Sequence, residues 1–340
     1  MGMGCSPSHD ASPVSKSNKD LILTTFYPTT YFAESISGDL VPVECPVPNT
    51  EDPIHWQPSR SSILKYQSAS LIILNGAYFE KWVGRVNLPL SRVIEGLKLS
   101  SEDLIHYEGT AEHRHGPAGT HAHEGIDGHT WLDPLNAKEA SHNIFQAMCA
   151  RWPKYRDEFS KNYMKLEVGL DALHVRMDAI EMPPAFASHP AYNYLARRYG
   201  WNIKNLDLVP DEILSEDQIK IIGSYAEQKP TRLLLWESKP LAKNIEELEK
   251  RLGISSVIFS PCEMISKGSN QEESDYLSRM NQNIDRLVSV IDGDETGQWR
   301  GIEGLFIDRI LRFYLKTPKI LRNDKYIFPK LKWQFEYIRI

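Results

Sequence analysis

The sequence has few cysteines, no excess of basic charge and no long apolar run, and each absence excludes a class of protein. Four cysteines occur in 340 residues, none in a Cys-x-x-Cys arrangement, so neither a disulfide framework nor a zinc ribbon is supported. The formal net charge of −6 lacks the basic face of a nucleic-acid-binding protein. No apolar run reaches the roughly 18 residues of a membrane-spanning helix. The chain is long enough for two domains with a substantial core.

The feature around which the sequence is organised is a histidine-rich segment at 113–134, HRHGPAGTHAHEGIDGHTWLDP. Glycine and proline interrupt it, and it has no hydrophobic period, so it does not resemble a core element. Neutral imidazole is a common ligand for zinc, and short histidine-rich tracts commonly bind metal. We interpret its first part as an accessory metal-binding loop, with an accidental linker as the alternative. Two His-x-His pairs supply the candidate ligands of this loop: His113, His115, His121 and His123.

Strand and helix patterns alternate from residue 20 onward, which is typical of parallel βαβ units. The predicted strands lie at 21–26, 41–47, 71–76 and 104–107 in a first half, and at 185–188, 203–209, 231–238 and 255–260 in a second. Between the halves, a helix from about Tyr155 to Ile180 would be long enough to join two domains as a rigid strut. We therefore predict an α/β fold with two lobes, each with a parallel β-sheet flanked by helices. One long helix would join the lobes, with a metal site in the cleft between them.

We expect five segments along the chain. They are a disordered, lipoprotein-like tether (1–19), an N-terminal α/β lobe (20–152) with the histidine-rich loop (112–124), a linking helix (153–181), a C-terminal α/β lobe (182–292) and an extension of unknown role (293–340). The extension is basic and aromatic, and could be a docking segment, a membrane-surface element or a peripheral helix and tail.

The N-terminal tether carries a lipidation candidate. Met-Gly-Cys ending at Cys5 resembles the end of a bacterial lipoprotein signal, and a Ser/Pro/Lys-rich stretch follows it. The charged and apolar regions of a signal peptide are missing from this sequence, so we expect the signal to be incomplete here. The first residues with Ser6 also fit a myristoylation pattern, and a plain disordered tail is a further alternative.

Four ligand-type residues follow predicted strands. His55 follows the second strand in EDPIHWQPS and His129 the fourth in GHTWLDP, while His189 and Glu263 follow the first and fourth strands of the second half. Open α/β sheets place ligands at the carboxyl ends of their strands, so one ion could lie between the halves. Three imidazoles and a carboxylate suit zinc, whereas manganese would be expected to have more oxygen ligands. Cys262 is the alternative fourth ligand, because a thiolate also binds zinc.

Several other acidic residues near these positions need a role. Glu237, at the end of a predicted strand, could orient a ligand or bind water. We interpret Asp52, Asp127 and Asp133 as turn and cap residues, and Asp133 could instead orient an imidazole.

At these residues the sequence resembles the zinc and manganese substrate-binding proteins of bacterial ABC transporters, in the group with a rigid linking helix. The resemblance covers about residues 20–292. Its most specific segments are GHTWLDPLNA, close to a His-x-Trp-Leu-Asp-Pro signature, and ASHPAYNYLARRYG, with histidine where manganese members tend to have glutamate. TTFYPTTYFAESISGD, EDPIHWQPS and YLSRMNQNIDRLVSVI also resemble family segments. The sequence departs from the family at the fourth ligand, where an aspartate is common and this chain has Ser-Pro-Cys-Glu at 260–263.

The resemblance implies metal binding without catalysis: capture of a divalent ion, zinc rather than manganese, for an ABC permease and, through it, an ATPase. His55, His129 and His189 carry over as ligands, with Glu263, Cys262 or water as the fourth. The implied location is the periplasm or the outer face of the cytoplasmic membrane. We expect a monomer that meets the membrane only through a lipid anchor and has no nucleic-acid partner.

Two other functions compete with this one. A metal-binding surface adhesin or storage lipoprotein would share the site but work without a transporter. A zinc hydrolase would use three histidines and an activated water, with Glu237 or Glu263 as the base. The sequence contains no HExxH motif, which makes the hydrolase the weaker alternative.

Overall fold

The computed structural model describes residues 20–107, 111–114, 120–123, 125–264 and 275–293. The predicted tether and almost all of the predicted C-terminal extension lie outside these ranges. None of the helices in the described ranges combines the length and apolar character that a bilayer crossing requires.

The N-terminal lobe is a four-stranded parallel sheet with strand order β2-β1-β3-β4. Its elements are β1 (Ile22–Thr24), α1 (Tyr27–Ser37), β2 (Val43–Glu44), α2 (Arg60–Ser68), β3 (Leu71–Gly76) and β4 (Val93–Leu97). Strand β3 is buried along its whole length. Leu71 and Ile73 pack into one apolar cluster and Ile72 and Leu74 into another. Both faces of the sheet are thus covered, which explains the continuous apolar run.

Two short antiparallel strands, β5 (Ala111–Arg114) and β6 (Thr120–His123), overlap the histidine-rich segment. His113 and His121 are partners in their register. The side chains of the four accessory histidines lie outside the described residues, so the accessory-loop hypothesis stays a prediction.

Helix α3 (Pro134–Arg151) packs against β3 and β4 of the N-terminal lobe, and α4 (Arg156–Asp178), which follows it, connects the two lobes. The bounds of α4 agree with the predicted strut, and its 23 residues span about 35 Å at 1.5 Å per residue. Its buried side chains recur at intervals of three and four residues: Phe159, Tyr163, Leu166, Leu170, Leu173 and Met177. They belong to one apolar cluster that also contains Ile22 of β1 and Leu233 of the second lobe. One core therefore runs from lobe to lobe along α4.

The C-terminal lobe repeats the architecture with strand order β10-β9-β7-β8, again parallel throughout. Its elements are β7 (Ala185–Ala187), α5 (Asn193–Tyr199), β8 (Ile203–Asn205), α6 (Glu216–Gln228), β9 (Leu233–Trp236), α7 (Ala242–Leu252), β10 (Ser255–Ile258) and α8 (Tyr276–Asp292). Helix α6 begins with a capping box between Ser215 and Gln218, as its SEDQ sequence predicts.

One predicted strand is wrong. Residues 104–107 form only an isolated bridge between His106 and Ile126, and the fourth strand of the first sheet is β4. Strand β4 lies at the edge of the sheet and exposes Glu95, so it lacks the continuous apolar run of a central strand. His129 therefore does not follow a strand of the main sheet directly.

Candidate metal centre

Two imidazoles and a carboxylate meet where the lobes face each other. The ligand atoms of His129, His189 and Glu263 all lie within 4.8 Å of one another. The Nε2 atom of His129 is 2.8 Å from Oε1 of Glu263 and 3.3 Å from Nε2 of His189. Both histidines are buried, and Glu263 is half-buried. Imidazole nitrogen and carboxylate oxygen are zinc donors, so this group can hold a divalent cation.

The segment carrying His129 is fixed by close packing of its neighbours. A Cβ atom added at Gly128 would lie 2.8 Å from Cδ2 of Phe79, so this position requires glycine. Trp131 packs edge-on against the rings of Phe26 and Phe79, with centroids 4.7 and 5.2 Å apart. The indole of Trp131 also donates a 2.7 Å hydrogen bond to the carbonyl of Pro261 in the other lobe. The GHTW sequence thus anchors the imidazole against both lobes.

Glu263 reaches the group through a turn after β10. The Asn283 side chain bonds both the amide and the carbonyl of Ser260, at 3.0 and 2.8 Å, which holds the start of this turn. Cys262 then adopts a left-handed conformation with φ of 60° and is buried in the core. Glu263, rather than Cys262, faces His129. Burial raises the pKa of the Cys262 thiol to about 12, which disfavours the thiolate that a zinc ligand needs.

Asp127 controls the electrostatics of His129. Its Oδ1 atom lies 2.7 Å from His129 Nδ1 and accepts the backbone N–H of His129 at 2.9 Å. Burial of the ring lowers its pKa, but the Asp127 charge and the hydrogen bonds with Asp127 and Glu263 outweigh burial and raise the pKa to about 10. The two carboxylates therefore favour a proton on the ring, and a metal ion at Nε2 would compete with that proton.

The second imidazole also has a carboxylate beside its distal nitrogen. Glu237 Oε2 lies 3.5 Å from Nδ1 of His189, and the Glu237 amide donates to Ser188 Oγ. This position is consistent with the orienting role considered for Glu237. Asp133 does not orient an imidazole: it caps α3 through Leu135 and accepts from Arg198 Nε at 2.7 Å.

Sequence reasoning treated Asp127 as a turn residue and missed its contact with the ring. The Asp-x-His spacing was the available signal. A carboxylate two residues before a candidate ligand is close enough to bond both its backbone and its ring.

His55 is exposed and lies outside the group of three. Asp52 makes a turn whose side chain accepts the Ile54 amide and whose carbonyl accepts the Trp56 amide, and Trp56 is buried while His55 points outward. The segment before His55 borders a cavity of about 50 Å³ that extends to Glu263. Its lining includes Phe26, Tyr27, Cys45, Val47, Glu263 and Met264.

Two parallel-sheet lobes that meet over imidazole and carboxylate donors, with a helix and core running between them, define a two-lobed metal-binding protein. Residues 22–290 match the family described as zinc-uptake complex component A, periplasmic, and the chain belongs to this family.

The chain is similar to characterised zinc proteins. It is 27% identical over 290 residues to the high-affinity zinc uptake system protein ZnuA of Bacillus subtilis, covering 82% of this chain and 90% of that one. It is 26% identical over 280 residues to the zinc-binding lipoprotein AdcA of Streptococcus pneumoniae, covering 80% of this chain. The match spans only 56% of AdcA.

Solved structures share the fold. The metal-dependent lipoprotein YcdH of Bacillus subtilis superposes with a TM-score of 0.67 at 25% identity, covering 79% of this chain and 98% of that chain. The Zn(II)-bound ZnuA-like domain of Streptococcus pneumoniae AdcA gives 0.65 at 23% identity, covering 78% and 96%. Together with the family match, these likenesses confirm the predicted two-lobed α/β fold, the resemblance to metal-transporter binding proteins and the choice of zinc.

Proposed function

We propose that this chain captures one zinc ion between its lobes and delivers it to an ABC-type permease. The observation that carries the proposal is the convergence of His129 from the N-terminal lobe with His189 and Glu263 from the C-terminal lobe. An ion bound there would be gripped by both lobes at once. Membership of a zinc-uptake family supports delivery to a transporter over storage.

Within this proposal, His129, His189 and Glu263 are three ligands and His55 is the fourth. Zinc prefers four ligands in a closed site, so the three groups that already meet need one more donor. The segment before His55 borders the cavity beside Glu263, which supports His55 as this fourth donor. Water is the alternative fourth ligand.

The role is binding rather than catalysis. The family is a transport component, and Asp127 and Glu237 lie beside the Nδ1 atoms of His129 and His189, at 2.7 and 3.5 Å, where a carboxylate can orient a ring. The names of two relatives, a zinc-binding lipoprotein and a metal-dependent lipoprotein, support lipid attachment of this chain at Cys5 and a location outside the cytoplasm.

Metal content distinguishes the interlobe site from the histidine-rich loop. Mass spectrometry on untagged protein should find one zinc per chain in the wild type, and none in His129→Ala. Deletion of residues 112–124 should keep that zinc, as should the matched control His142→Ala, which removes an exposed histidine on α3. Zinc that disappears with the loop and persists in His129→Ala would refute the proposal.

A further inference from the structure

Asp127 is fully buried and bonded on both carboxylate oxygens. Its Oδ1 atom accepts from the His129 amide, lies 2.7 Å from His129 Nδ1, and accepts the hydroxyl of Tyr107 at 3.1 Å. Its Oδ2 atom accepts from Asn193 Nδ2 at 2.9 Å. The backbone carbonyl of Asp127 accepts the hydroxyl of Tyr194 at 3.1 Å. A carboxylate held at this many points has no freedom to rotate.

These contacts come from both lobes. Tyr107 and His129 belong to the N-terminal lobe, whereas Asn193 and Tyr194 form the first turn of α5 in the C-terminal lobe. The contact therefore joins the lobes directly behind the metal centre.

The orientation of the Asn193 amide follows from the carboxylate. A buried carboxylate only accepts hydrogen bonds, so Asn193 must present its NH₂ group to Asp127 and its oxygen elsewhere. That oxygen accepts from Asn205 Nδ2 at 2.9 Å, and the NH₂ group also donates to the Pro190 carbonyl at 3.1 Å. Asn193 is thus held by β8 and by the residue that follows His189.

A fixed carboxylate at Nδ1 determines which imidazole nitrogen is left for a metal. With the Nδ1 proton donated to Asp127, the lone pair of a neutral His129 lies on Nε2, the atom that faces Glu263 and His189. The Tyr107 hydroxyl lies 3.2 Å from the same nitrogen but itself donates to Asp127, so losing the carboxylate would leave the ring freer to rotate or to place its proton on Nε2.

Building on the proposed function, we propose that Asp127 is a positioning residue that fixes the tautomer and ring orientation of His129 for zinc. We further propose that Asn193 makes this arrangement depend on the C-terminal lobe. Contact between the two lobes thereby helps to hold the N-terminal ligand ready for the metal.

The test compares Asp127→Asn and Asn193→Ala with the control Asp133→Asn. Asp133 is a buried carboxylate of the same segment that caps α3 without touching the ring. Zinc affinity, measured by chelator competition, should fall roughly 10- to 100-fold in Asp127→Asn, the usual loss when a partner of a metal-bound histidine is removed. It should fall less in Asn193→Ala and remain unchanged in Asp133→Asn.

Nitrogen-15 NMR of the His129 ring supplies a readout that a purely structural role would not move. Zinc-loaded wild type should show a protonated Nδ1 and a metal-bound Nε2, and Asp127→Asn should show a changed tautomer signature. Wild-type affinity and an unchanged ring signature in Asp127→Asn would overturn the inference, as would equal losses in Asp127→Asn and Asp133→Asn. If Asp127→Asn does not fold, the test uses Asn193→Ala alone. Wild-type zinc affinity and an unchanged His129 ring signature in that variant would overturn the inference. Absence of zinc from the wild type would instead refute the proposed function.

Discussion

Glu80 is a buried carboxyl group that supports the metal centre from a distance. It accepts the Thr25 hydroxyl at 2.5 Å and the Asn75 amide at 2.6 Å, which ties together the ends of β1 and β3. The Asn75 side chain in turn donates to the Gly128 carbonyl and accepts from the Thr130 hydroxyl. Gly128 and Thr130, which flank His129, are therefore held by a hydrogen-bond network that begins at Glu80.

Replacing Glu80 with glutamine should flatten the pH dependence of stability. Burial outweighs the hydrogen bonds from Thr25 and Asn75 and raises the pKa of Glu80 from 4.5 to about 7. Between these values the native state binds the proton that the unfolded state has released, so stability falls as pH rises. The loss is complete above about pH 7 and is on the order of 3 kcal/mol. Glutamine keeps the accepting oxygen and removes this loss.

Urea unfolding from pH 4.5 to 8 would measure this effect. The unfolding free energy of Glu80→Gln should rise relative to wild type as pH increases through this range. The control Glu139→Gln, which changes an exposed carboxylate on α3, should follow the wild-type profile. Parallel curves for wild type and Glu80→Gln would show that the carboxyl group is not titrating in this range.

For single residues, the sequence predicts the candidate metal ligands better than it predicts the side chains that hydrogen-bond to them. His189 and Glu263 follow β7 and β10, and the structure brings both to His129. The choice between Cys262 and Glu263 depended on a left-handed backbone conformation that composition does not reveal. Asp127 also contacts Asn193, which is 66 residues away in the sequence. A local pattern could therefore indicate the contact of Asp127 with His129 but not its contact with Asn193.

Among the elements, those with continuous apolar runs or strong helical periods were the predictable ones. Strands β3 and β9 are buried along their length, and their short apolar sequences, LIILNG and LLLW, are typical of buried parallel strands. Edge strand β4 was missed because only one part of it is buried, and an apolar stretch at 104–107 was predicted as the strand instead. That stretch packs toward the other lobe, where the Ile105 amide bonds Tyr194.

Shortening a side chain on the buried face of α4 should destabilise the protein, whereas shortening one on its exposed face should have little effect. Leu170 is fully buried in the cluster that joins both lobes, so Leu170→Ala removes packing and leaves a cavity. We expect a loss of about 2–5 kcal/mol in the free energy of unfolding. Val168, two residues away, is 41% exposed, and Val168→Ala should change stability by less than about 0.5 kcal/mol. Equal effects in urea unfolding would contradict a core that runs along α4.

For the whole molecule, the shared core limits how the lobes can move. The apolar cluster contains residues from both sheets and from α4, so separating the lobes would expose part of it to water. Around the metal centre, the contacts between the lobes also include polar ones, such as His129 with Glu263 and Asp127 with Asn193. Motion on zinc binding should therefore be concentrated at the cleft, while the α4 side stays packed.

Calorimetry can test the shared core and the interlobe zinc together. Because one core spans both lobes, the chelator-treated protein should unfold in a single transition. Zinc binds only the native arrangement of ligands, so saturating zinc should raise the midpoint, with a stabilisation of about 3–4 kcal/mol at 100 to 1,000 times the dissociation constant. The increase should vanish in His129→Ala and persist in His142→Ala. Two transitions, with only one responding to zinc, would mean that the lobes unfold independently and that one lobe binds the ion by itself.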